Sequence, residues 1–137
     1  RAAGWSFLLL VAAIVPGTPA LAGGPRSTDL ECVAPATDQD YGASGSATLS
    51  SISWERQGYW GDVTVTCKGL TPGATYQVVV WEFEPYAGFV PVASASFTAT
   101  KRGAGEVTAA VLFSLDYFGW YVDVCNSGDA VILTSQH

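Results

Sequence analysis

Short segments that alternate apolar and polar residues, each closed by Gly, Pro, Asn or Asp, set the strongest limit on what this chain can fold into. Val63, Val65 and Cys67 interleave with Thr64, Thr66 and Lys68, and Tyr76, Val78 and Val80 repeat that spacing. A period of two belongs to an extended strand with one face in a core and the other in water. Strands are predicted near 46–54, 62–68, 75–84, 89–100, 106–114, 119–125 and 130–135, with no convincing helical period between them. About seven short, closely spaced strands predict an all-β fold, an antiparallel β-sandwich.

The N-terminus follows a different rule. In "RAAGWSFLLLVAAIVPGTPALAGG", Arg1 is a positive flank, 7–15 a short apolar core, Pro16 and Gly17 a break, and Ala20-Leu21-Ala22 the small residues before a cleavage site. The apolar run is about half the roughly 20 residues of a spanning helix, which disfavours a retained anchor or a buried helix. No Cys follows Ala22, so a lipid-anchored start is not expected. The expected organisation is a signal peptide over 1–22, a linker or arm over 23–44 rich in Pro, Ala and Gly, and one domain over 45–137. The expected location is secreted, cell-surface or periplasmic, with no membrane span in the mature chain.

Charged residues are 13% of the chain and aromatic residues 12%, a balance that suits a β-rich secreted module and argues against disorder. The formal charge of −6 becomes −7 when Arg1 leaves with the signal peptide. Nucleic acid and anionic membranes are poor partners for such a chain, because both are held by clustered Lys and Arg.

Leu70, Pro72, Gly73 and Tyr76 have the spacing L-x-P-G-x-x-Y ahead of alternating Val. This resembles the tyrosine-corner turn of fibronectin type III domains and the related turn of secreted bacterial Ig-like modules. Pro72 presets the turn, Gly73 accepts an unusual backbone angle, and Tyr76 can bury its ring while its hydroxyl bonds nearby backbone. "ASFTATKRGAGEVTAAV" looks like two strands of the bacterial modules joined at a Gly-bearing turn, and "WYVDVCNSGDAVILTS" like their closing hairpin. The resemblance covers roughly 45–135 and implies an Ig-like sandwich, a shape rather than an activity.

Catalytic equipment is scarce in the sequence. The single His is His137 at the C-terminal end, a weak basis for a triad or a zinc site. Glu82 and Glu84 are neighbours on one strand face, but glycosidase carboxylates flank a bond from two sides of a cleft, so a solvated strand end is expected. Asp38-Gln39-Asp40-Tyr41-Gly42 begins like a calcium loop, yet the third and closing ligand positions fall on Gly42 and Leu49. A polar turn is expected there, and neither a metal, a cofactor nor a catalytic residue is assigned.

Three Cys leave an odd thiol if one bridge forms. The expected bridge is Cys67 with Cys125, each closing a strand, although alternation puts Cys67 on the core face and Cys125 on the other. Cys32 is then free or linked to another chain.

If consecutive strands reverse, the connecting loops sort into two sets at opposite ends. One set is "RQGYWGD", "EFEPYAG" and "SLDYFGW", with Tyr59, Trp60, Tyr86, Tyr117 and Phe118 beside Asp62, Glu84 and Asp116. The other is small and polar, with Lys68, Lys101 and Arg102. Sandwich loops commonly build binding surfaces, and rings beside carboxylates suit a protein partner or stacking on a sugar. These eight residues are the candidate binding set, unless the rings fold inward to cap the core. The expectation is a non-catalytic module with a structural or protein-contact role, and the alternative is a carbohydrate-binding module.

Overall fold

The computed structural model describes residues 26–115 and 119–136. The expected signal peptide, Asp116, Tyr117, Phe118 and His137 lie outside the described residues. Eight strands follow one another: β1 (Arg26–Cys32), β2 (Ser44–Glu55), β3 (Gly58–Lys68), β4 (Thr75–Glu84), β5 (Gly88–Thr98), β6 (Gly105–Phe113), β7 (Gly119–Cys125) and β8 (Val131–Thr134). All pairs are antiparallel, in one sheet of order β5-β4-β7-β8-β1-β2-β3-β6. The sheet curls until its edge strands β5 and β6 approach each other, giving a nearly closed, barrel-like form compatible with a sandwich-like module.

Two expectations need correction. Eight strands are present rather than about seven, and the additional one is β1, in a segment read as linker or arm. Leu30 is the one fully buried residue of "RSTDLEC", so β1 lacks the apolar period by which strands are recognised. Ladder bonds hold it instead. Arg26–Leu30 pair with β2, and Glu31 and Cys32 pair with β8, so this short strand joins the two halves of the sheet.

The alternation read in the sequence decides which side chains meet. Ala47, Leu49, Val63, Val65, Val111 and Phe113 from one half face Tyr76, Val78, Val80, Val122, Val124 and Leu133 from the other, all in one buried cluster. Each fully buried aliphatic or Phe side chain contributes about 1.5–3 kcal/mol relative to exposure. The seam between β5 and β6 is closed by a side chain. The Phe97 ring lies against Gly105 where a Cβ would collide with it, and its other neighbour is the Tyr76 ring at 5.6 Å.

The corner loop holds the lower end together. Gly73 takes φ 78°, a left-handed angle suited to glycine, and its amide donates to the Ala99 carbonyl. The Leu70 amide donates to the Gly103 carbonyl, tying the β3–β4 loop to the β5–β6 loop. The Tyr76 ring is buried, as the turn spacing implied, and its hydroxyl accepts from the Thr71 amide over 3.0 Å and donates to Asp40 Oδ1 over 2.6 Å.

Candidate functional site

Strand reversal places the β2–β3 and β4–β5 loops, the end of β6 and the start of β7 at one end. Pairing of Tyr59 with Phe113 sets the β2–β3 hairpin beside the end of β6, and pairing of Phe83 with Gly119 sets the β4–β5 hairpin beside the start of β7. A polar link crosses the core between them. The Ser114 amide donates to Glu82 Oε1 over 2.8 Å and its hydroxyl to Oε2 over 2.7 Å.

The candidate residues divide by strand parity. Tyr86 is fully exposed on the β4–β5 turn, and Trp60 is 37% exposed on the outer face of β3, two residues from half-buried Asp62. Tyr59 is only 8% exposed. It shares parity with Val63 and Val65 and packs in the core cluster rather than on the loop surface. Glu84 is half-buried at the end of β4. Its neighbour Glu82 is not a solvated strand end: it has the parity of Tyr76, Val78 and Val80 and is fully buried. Trp54, Phe89 and Leu115 add exposed apolar surface near the same end.

A second aromatic group, absent from the sequence reading, lies on the outer face of β4, β5 and β7. Trp81 pairs across the ladder with Tyr121, and their rings are nearly parallel at 5.9 Å. Phe89 meets Phe83 at 5.1 Å and stands edge-on to Tyr121 at 5.0 Å. Burial, and next the charge of Asp123, raise the Tyr121 phenol above its ordinary pKa. Trp81 Nε1 is buried without a hydrogen-bond partner. The signal in the sequence was the parity of Trp81, Phe83 and Tyr121, opposite to that of the Val residues beside them. Their convergence depended on a register that no local pattern specifies.

The opposite end carries exposed Lys68, Lys101 and Arg102 and a cavity of about 350 Å³ lined by Asp38, Asp40, Thr71, Tyr76 and Asn126 among others. Asp38 Oδ1 accepts the Asp40 amide, and Asp40 Oδ1 also accepts the Thr71 amide and hydroxyl, so the Asp38–Gly42 turn is a structural brace. No group of three or more His, Cys, Asp or Glu suited to a metal ion occurs among the described residues.

Cys32, Cys67 and Cys125 are all free thiols, so the expected Cys67–Cys125 bridge is not formed. Parity supplies the reason: Cys67 points inward with Val63 and Val65, while Cys125 follows inward Val122 and Val124 and lies on the other face. Burial pushes the Cys67 thiol up to about 11. Cys32 donates a weak bond to the Asp40 carbonyl.

Among the described residues no helix is long and apolar enough to cross a membrane. These features define an all-antiparallel β-sheet protein with aromatic surface at one end and along one face. No protein-family model and no curated protein matches the chain.

Proposed function

We propose that the chain is a secreted, non-catalytic, Ig-like module with a structural or protein-contact role at the cell surface or outside the cell. The observation that carries this reading is that exposed Tyr86, Trp60, Trp54, Phe89 and Leu115 lie at and beside one end, whereas the opposite end, with Lys68, Lys101 and Arg102, has the smaller share of exposed large apolar side chains, Val33, Tyr41 and Val131. Large exposed apolar side chains gathered in one region mark contact surfaces. Support for the Ig-like form comes from the buried Tyr76 corner, and support for secretion from the N-terminal sequence. Carbohydrate is the second ligand class, favoured by Trp60 lying beside Asp62 on one outer face.

The test is capture of extracellular proteins and of a glycan array by the purified protein and its variants. Trp60→Ala, Tyr86→Ala and Tyr117→Ala should each weaken capture by about 1 kcal/mol or more. Charge reversal at Lys101 and Arg102, at the far end, should leave it unchanged. Loss of capture on charge reversal, with the aromatic variants intact, overturns the choice of end. A large stability loss in the aromatic variants, with binding preserved, shows that the rings cap the core.

A further inference from the structure

The outer face of the half-sheet β5-β4-β7-β8 has an aromatic part and an acidic part. Trp81, Phe83, Phe89 and Tyr121 form the first, and Phe89 is 47% exposed although it touches two other rings. Next along β7 comes Asp123, in one row with Val79 on β4, Thr134 on β8 and Glu31 on β1. Asp123 lies on β7 two residues before its end at Cys125, and exposed Asp129 sits in the β7–β8 turn that follows. None of β4, β5, β7 or β8 contains a Lys or Arg. The face therefore offers ring surface and negative charge with no cation of its own strands to satisfy either.

Charge complementarity selects the occupant. A guanidinium or ammonium group is attracted to the face of an aromatic ring, Trp most strongly, and pairs with nearby carboxylates, whereas an acidic ligand meets repulsion from all three. A neutral glycan would use the rings and leave the carboxylates without an opposite charge. We infer that this face docks a cationic polypeptide segment, its Arg or Lys side chains lying over the Trp81, Tyr121 and Phe89 rings and pairing with Asp123, Glu31 and Asp129. The inference rests on the reading of the chain as a protein-contact module and names the chemistry of one partner.

The experiment titrates the purified protein with three probes: a peptide of alternating arginine and leucine about ten residues long, its glutamate counterpart, and a neutral linear hexasaccharide. Ten residues match the length of β4. Binding is read by calorimetry and by the indole N–H resonance of Trp81, which reports on the face without any substitution. The arginine peptide should bind saturably and shift that resonance, and affinity should fall as salt rises. Asp123→Asn and Trp81→Phe should each weaken it about tenfold or less, the range of a cation–π contact or a paired charge, while charge reversal at Lys101 leaves it unchanged.

Equal binding of the glutamate peptide overturns the inference in favour of a non-selective apolar surface. A shift of Trp81 by the hexasaccharide alone overturns it in favour of a glycan. If the arginine peptide fails to bind while Trp60→Ala still impairs partner capture, this inference falls and the module reading stands. If the arginine peptide binds and shifts Trp81 while loop-end variants change nothing, the inference stands and the choice of loop end falls.

Discussion

At the scale of single residues, the Tyr76 hydroxyl donates to Asp40 and accepts from the Thr71 amide, and the Asp40 carboxylate is itself buried. Burial first, and next donation to Asp40, raise the phenol above its ordinary pKa, so it stays a donor across the neutral range. Tyr76→Phe keeps the ring and removes a partner from a buried acid, and should cost about 1–3 kcal/mol. Tyr76→Ala should cost about 3–5 kcal/mol, the range for deleting a large buried aromatic. Urea melts of both variants and of Asp40→Ala check this. A loss below about 1 kcal/mol for Tyr76→Ala excludes a core role, and additive losses for Tyr76→Phe and Asp40→Ala exclude the coupling. The turn around Tyr76 was legible because Pro72, Gly73 and the ring stand within five residues. Asp40 was not, because a partner 36 residues away leaves no local trace.

At the scale of elements, β4 and the end of β6 are joined by Glu82 and Ser114, one from each half of the sheet. Glu82 accepts from both the amide and the hydroxyl. Ser114→Ala strands one buried carboxylate oxygen and should cost about 1–3 kcal/mol. Glu82→Gln should cost less, under about 1 kcal/mol, because the Ser114 hydroxyl can turn to accept from the new amide. Denaturant midpoints measure both, and the reverse order would show that Glu82 is held by its charge rather than by these two bonds. Parity alone put Glu82 inside, in step with Val78 and Val80. A carboxylate there contradicts the usual preference of charged residues for water, and the approach of Ser114, just past the end of β6, makes the position tenable.

At the scale of the whole molecule, several groups that ionise at alkaline pH have pKa values raised by burial: Cys67 to about 11 from 9.0, with Tyr76, Tyr121 and Cys125 shifted in the same direction. Below pH 9 both folded and unfolded chains hold the Cys67 proton and its burial adds no pH dependence. Between pH 9 and 11 the unfolded chain releases it first, so stability falls as pH rises, by about 1.4 kcal/mol per pH unit from this thiol. Equilibrium unfolding from pH 7 to 11 measures the slope, and Cys67→Val should remove the Cys67 part of it. A flat wild-type profile would mean that the thiol is not sealed in the core. The sequence by itself determined the class of fold, the inward Val residues of β3 and β4, the corner at Tyr76 and the sorting of loops to two ends, since each follows from local period, turn chemistry or simple reversal. The tertiary structure alone decided the membership of β1, the brace at Asp40, the pairing of Glu82 with Ser114 and the meeting of Trp81, Phe89 and Tyr121. Those depend on register and on contacts between segments far apart in the chain, and cross-strand register is a collective choice of the folded sheet that no segment of it encodes alone.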